Sequence, residues 1–99
     1  MKKLFTLLLT AIVLSCCSNN TYELPDAEFG YIENGLQIEF RNYSKNAHSY
    51  LWLFGDGTKS TEYEPIHKYE KKGRYTVRLK ATNNIDNTTD SAEDIIYIE

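Results

Sequence analysis

Apolar and polar residues alternate with a period of two over most of the chain beyond residue 26. Ala27, Phe29 and Tyr31 alternate with Glu28 and Gly30, and Leu36, Ile38 and Phe40 alternate with Gln37, Glu39 and Arg41. In an extended segment successive side chains point to opposite faces, so each run predicts a strand with one buried side. Asn34-Gly35 lies between the two runs and predicts a hairpin, because both residue types tolerate positive φ. Residues 49–54 place Tyr50, Trp52 and Phe54 on one face and Leu51 and Leu53 on the other. That strand runs straight into Gly55-Asp56-Gly57, a tight corner in which the aspartate can hydrogen-bond its own turn. Residues 58–62 are polar and suit a short edge strand, and Pro65 confines the next element to an edge or a turn. Tyr75, Val77, Leu79 and Ala81 alternate with Thr76, Arg78, Lys80 and Thr82 in the clearest strand of all. Residues 83–94 read as a polar loop, and residues 95–98 as a last strand. No segment beyond residue 26 carries the 3.6-residue period of an amphipathic helix. Six or seven short strands at spacings of about 8–12 residues predict an all-β, antiparallel β-sandwich.

The first residues have a different pattern. Lys2 and Lys3 precede an apolar run over residues 4–14, broken only by Thr6 and Thr10. The run is too short to cross a hydrocarbon core as a helix and matches an export signal. Val13-Leu14-Ser15-Cys16 resembles the lipobox of bacterial lipoprotein precursors. The resemblance implies cleavage before Cys16 and several acyl chains on that residue, enough for stable membrane anchoring. The expected organisation is a signal peptide over 1–15, a lipid-anchored tether over 16–25 and a sandwich domain over 26–99. The tether reaches at most about 33–36 Å, which keeps the domain near the bilayer. Cys16 and Cys17 are the only cysteines, so the globular part has no disulfide.

Charge narrows the partners. Loss of residues 1–15 removes Lys2 and Lys3, leaving nine basic against fourteen acidic residues and a net charge of −5. Nucleic-acid binding rests on Lys and Arg neutralising phosphates, so nucleic acid is not an expected partner.

Four ordered motifs then carry a likeness. Ile38-x-Phe40-x-Asn42-x-Ser44, Trp52-Leu-Phe54-Gly55-Asp56-Gly57, Pro65-Ile-His67-Lys-Tyr69 and Gly73-Arg-Tyr75-Thr-Val77-Arg-Leu79 resemble a PKD domain, the immunoglobulin-like sandwich named for polycystic kidney disease protein. The resemblance covers about residues 27–98. It implies two packed sheets with Trp52 central, and an accessory module of surface or secreted proteins that is not itself catalytic. Trp52 corresponds in role to the strand-C tryptophan of immunoglobulin sandwiches, and Tyr75 to a tyrosine corner two residues before a core position. Val77 stands at that core position, so packing of Val77 against Trp52 and Phe40 replaces a disulfide. Leu51 and Leu53 depart from the family pattern, which usually has polar residues there.

Candidate chemistry is sparse. Asp56 stands alone between glycines, with no partner acid, base or ligand in the sequence, and a structural turn role is expected. His48 and His67 lack neighbouring cysteines or carboxylates at zinc-ligand spacing. His67 is expected to pack or hydrogen-bond locally. The oxygen-rich stretch Asp86-Asn87-Thr88-Thr89-Asp90 lacks the Gly and terminal Glu of an EF-hand loop and reads as a solvated loop rather than a Ca²⁺ site. Asp90-Ser91-Ala92 resembles an O-glycosylation acceptor of bacterial export proteins. No nucleophile elbow, P-loop or dinucleotide fingerprint is present, so neither an enzyme nor a cofactor is expected. What remains is a surface. With Trp52 inward, Leu51 and Leu53 face outward. The family pattern turns Ile96 and Ile98 inward, so Ile95 and Tyr97 also face outward. The strand between carries Arg78 and Lys80, whose stems are expected to lie over the leucines and Tyr97. This face is the candidate contact with a glycan, an envelope protein or a second copy of the chain.

Overall fold

The computed structural model describes residues 23–99. The predicted signal segment, Cys16 and most of the predicted tether lie outside the described residues. Among the described residues there are seven strands: β1 Phe29–Asn34, β2 Gln37–Asn42, β3 Ser49–Leu53, β4 Lys59–Ser60, β5 Ile66–Lys68, β6 Gly73–Asn83 and β7 Thr88–Ile98. They form an antiparallel sandwich of a three-stranded sheet, β1-β2-β5, and a four-stranded sheet, β4-β3-β6-β7. Among the described residues no helix is long and apolar enough to cross a membrane.

The inward residues of the alternating runs meet between the sheets. Ile38, Phe40, Trp52, Tyr69, Val77, Leu79 and Ile96 are fully buried, with Phe54 and Ile98 beside them. Trp52 lies edge-on to Phe29 at 5.2 Å and against Phe40 at 5.1 Å. Its indole N–H donates to the Glu62 carbonyl at 2.9 Å. A buried Trp or Tyr usually satisfies its polar atom with such a partner. Tyr69 follows the same rule, with its hydroxyl donating to the Phe54 carbonyl at 2.8 Å. Burial pushes the Tyr69 phenol pKa up, and the charges of Asp56 and Tyr75 add to the effect.

Two boundaries differ from those the sequence suggests. The first turn is Gly35-Leu36, with Asn34 paired to Gln37, and only Gly35 of the two turn residues has positive φ, 69°. A glycine at the first central position is the type II′ arrangement. More significantly, the stretch 83–94 is not a loop. The reversal is confined to residues 84–87, and β7 pairs with β6 from Asn83↔Thr88 to Gly73↔Ile98. Polar Thr88 to Asp94 extend as a strand because the ladder to β6 satisfies their backbone, which needs no apolar side chains. Asp94 belongs to the inward-facing set of β7 yet is exposed at the sheet edge, and its side chain accepts from the Ile95 amide at 2.9 Å. An inward charge that occupies a backbone donor blunts an edge against pairing with another chain.

Candidate functional site

The corner after β3 has a definite geometry. Gly55 sits at φ 88°, where a Cβ would stand 2.6 Å from the Thr76 carbonyl oxygen and 2.9 Å from its nitrogen. Both the conformation and the close approach to β6 require glycine. Asp56 Oδ1 accepts from the Thr58 amide at 3.1 Å and from the Thr58 hydroxyl, which closes the turn. The expectation that Asp56 lacks a partner is corrected by the tertiary structure. His67 Nε2, on β5 of the opposite sheet, lies 2.8 Å from Asp56 Oδ2. His67 is held there by stacking on Phe54 at 4.1 Å and by an edge contact with Tyr69 at 4.6 Å. Partial burial acts to raise the Asp56 pKa. The hydrogen bonds from Thr58 and His67 outweigh it and hold the carboxyl below its usual range.

This cluster is a clamp between sheets and not a proton relay. A nucleophile–histidine–acid relay uses the two ring nitrogens for opposite partners. Here Thr58 Oγ1, at 3.3 Å, and Asp56 Oδ2 both address Nε2. The other expected site residues are placed as follows. Tyr75 is half-buried, stacks on Tyr69 at 4.2 Å and donates its hydroxyl to the Lys71 carbonyl at 2.7 Å. His48 Nδ1 accepts from the Asn84 amide at 3.1 Å. The oxygens of 86–90 are dispersed: Asp86 Oδ1 accepts from the Thr88 hydroxyl, and Asp90 Oδ2 from the Ala27 amide at 2.8 Å.

The outer face of the four-stranded sheet brings the six candidate contact residues together in rows. Leu53 stands between Lys59 and Arg78, with Glu93 beyond Arg78. Leu51 lies beside Lys80, Ile95 beside Thr76, and Tyr97 beside Arg74. Leu51 is half-buried, and Leu53, Ile95 and Tyr97 are exposed. Two details differ from the expected arrangement. Arg78 turns to Glu93, to which its Nε and Nη2 donate at 3.1 and 2.7 Å. Tyr97 stands opposite Arg74, two rows from the leucine row that Arg78 occupies.

A profile of the PKD domain family matches residues 25–98. The chain belongs to the PKD domain family. Solved structures agree. The PKD1 domain of the Vibrio cholerae metalloprotease PrtV superposes with a TM-score of 0.72 and 33% identity, covering 78% of this chain and 99% of that domain. A chain from a study of carbohydrate-binding modules of the β-sandwich superfamily superposes with a TM-score of 0.68 and 25% identity, over 77% of this chain and 34% of its own. In sequence, a collagenase, ColA of Bacillus cereus, is 68% identical over 31 residues, or 31% of this chain and 3% of the enzyme. The Vibrio cholerae pre-pro-metalloprotease PrtV is 41% identical over 64 residues, or 61% of this chain and 7% of its own length. The chain thus spans only a few per cent of these curated relatives.

One feature of this PKD domain was not legible as a site. Asn42 is buried and makes bonds in three directions: its amide N–H donates to Glu64 Oε2 at 3.0 Å, its Nδ2 to the Tyr63 carbonyl at 3.1 Å, and its Oδ1 accepts from the Ser44 amide at 3.0 Å. It fixes a corner from which Tyr43 and Tyr63 emerge, both more than half exposed. Asn42 stands in the family motif, but nothing in its spacing indicates that Glu64 and Tyr63 come to meet it.

Proposed function

We propose that this PKD domain is a lipid-anchored, non-catalytic module of a bacterial cell envelope. Acylation at Cys16 holds it at the membrane, and residues 16–25 form the tether. The outer face of β3, β6 and β7 docks it onto an envelope protein. The observation that carries this reading is the grouping of Leu51, Leu53, Ile95 and Tyr97 on one sheet face, where the family likeness favours polar residues at the leucine positions. Scattered apolar residues are ordinary surface, whereas several on one face approach the size of an interaction patch. The similarity to about a third of a chain from a study of carbohydrate-binding modules, and to parts of bacterial collagenases and a metalloprotease, supports a binding role in an extracytoplasmic location.

The test has two arms. Cys16→Ala removes metabolic palmitate labelling and leaves an unprocessed precursor; labelling that persists in full moves the anchor to Cys17 or removes it. Leu51→Ser with Leu53→Ser reduces capture of an envelope protein by the full-length chain while the melting temperature stays within a few degrees. Capture that survives both substitutions rejects the docking face. Loss of concentration-dependent self-association in place of partner capture identifies a second copy as the occupant.

A further inference from the structure

We infer that the outer face of the other sheet, at the corner built by Asn42, is a site for a neutral hexopyranose polysaccharide, with Tyr43 as its stacking platform. The inference rests on the non-catalytic binding role and is independent of the leucine face. Tyr43 leaves β2 with its amide donating to the Glu28 carbonyl at 2.8 Å, which continues the β1–β2 pairing by one step. Its side chain therefore falls on the outer face and leans over Gly30. A Cβ at position 30 would stand 3.2 Å from Tyr43 Cε2, so glycine leaves the ring room to settle on the strand. Tyr43 is nevertheless 55% exposed. A ring seated on one side and open on the other presents its electron-rich face to polarised C–H groups such as those of a pyranose ring.

Beside it lies an ordered set of planar polar groups. Arg41 is the cross-strand partner of Gly30. Its guanidinium is 3.6 Å from Glu39 and 3.8 Å from Glu64, ion-pair contacts too long for hydrogen bonds. Glu64 is itself held by the Asn42 amide through its other oxygen. Planar forks of this kind match pairs of neighbouring hydroxyls, and groups already fixed lose little freedom on binding. Tyr63 adds a second exposed ring at the corner, tied by its hydroxyl to the Asn42 carbonyl at 3.2 Å and by an edge contact to Tyr50 at 5.4 Å. The charge selects among polymers. Glu28, Glu39 and Glu64 outnumber Arg41 and Lys68, and the pair Asp26 opposite Lys45 is balanced; Ile32 and Ile66 are exposed on either side of Glu39, one row beyond Arg41. The corner therefore disfavours uronic-acid and phosphate polymers. A charged cluster at the centre of the patch is equally unlike the charge-depleted centre of a protein interface.

The experiment is sedimentation of the full-length protein in detergent micelles with two insoluble neutral polysaccharides, microcrystalline cellulose and chitin. Polygalacturonate beads and denatured-protein beads run alongside. The wild-type chain is retained on at least one neutral polysaccharide. Tyr43→Ala weakens retention about tenfold or more. Tyr43→Phe keeps it. Gly30→Ala weakens it while retaining the tyrosine, because the ring must shift from its seat. Leu51→Ser with Leu53→Ser leaves retention unchanged, which separates this site from the docking face. Absence of retention on both neutral polymers overturns the inference, as does equal retention of Tyr43→Ala, or preferential retention on polygalacturonate or denatured protein. If Tyr43→Ala lowers the melting temperature sharply, Gly30→Ala and Tyr43→Phe decide the matter.

Discussion

The two outer faces of the sandwich differ in how they are built. On the four-stranded sheet the apolar residues of the outer face, Leu51, Leu53, Ile95 and Tyr97, stand in separate rows across β3, β6 and β7, among long, flexible charged side chains. Arg78 and Glu93 neutralise each other in the middle, half exposed to water. On the three-stranded sheet the exposed ring of Tyr43 is seated on a glycine, and its polar neighbours are chained to a buried asparagine. The first face is adaptable and apolar at its margins, which suits another polypeptide. The second is rigid and polar around Tyr43, with Ile32 and Ile66 exposed on either side of Glu39 in the next row, and its fixed polar groups suit a ligand with a fixed pattern of hydroxyls. A sandwich with one core can carry both, because outward residues are free of the constraint that fixes the inward ones.

The sharpest way to break the comparison is to remove what both faces share. Trp52→Ala is expected to cost about 3–5 kcal/mol, the range for large aromatic truncations in a core. A small domain has only about 5–15 kcal/mol in total, so both proposed binding activities are expected to fall together and the melting temperature to drop steeply. Thermal unfolding by circular dichroism measures this, and a change of only a few degrees would place Trp52 outside the load of the core.

Next come the corner glycines. Gly55→Ala drives a Cβ into the Thr76 backbone and is expected to cost more than the roughly 1 kcal/mol of an αL penalty alone. Gly57→Ala has the same sign of φ, 93°, but open space around the added carbon, so only the conformational cost remains. Chemical denaturation of the two variants should rank them in that order. Because Thr76 lies on β6, Gly55→Ala should disturb the docking face before the Tyr43 corner.

The Asp56–His67 clamp gives a smaller, pH-dependent effect. The Asp56 pKa is lower in the folded state than in the unfolded chain. Its contribution is therefore present above the unfolded value and is lost as pH falls through the folded one. Asp56→Asn should flatten that acid limb of the stability profile and leave binding at both faces intact near neutrality. A profile identical to wild type below pH 4 would show that the clamp contributes nothing. The smallest effect is expected at Arg78→Ala, since an exposed ion pair is worth about 0–1 kcal/mol. Melting should hardly move, and any change in partner capture then reports contact at the docking face itself.

Much of the fold was legible because burial writes a two-residue period into each strand. The alternation at Ile38-Phe40, Trp52-Phe54 and Val77-Leu79-Ala81 assigns their inward faces directly, and all of these residues are buried. The first half of β7 escaped the same logic. Thr88 to Asp94 carry little apolar signal, and their strand exists because β6 offers eleven residues of backbone to pair with. The site was less legible than the fold. The sequence shows Asp56 and His67 eleven positions apart, and nothing in that spacing reveals that they meet.

By itself, the sequence determined the alternation, the aromatic core, the glycine corner and the sign of the charge, because each depends on neighbours a few residues away along one strand or turn. Only the tertiary structure decided the pairings that cross from sheet to sheet, loop to strand or strand to strand: His67 with Asp56, Asn42 with Glu64 and Tyr63, Tyr43 over Gly30, Arg78 with Glu93. Those contacts depend on register and on which segments the sandwich brings side by side. A two-residue period specifies which face a side chain takes, but not which residue of another strand or loop it will meet.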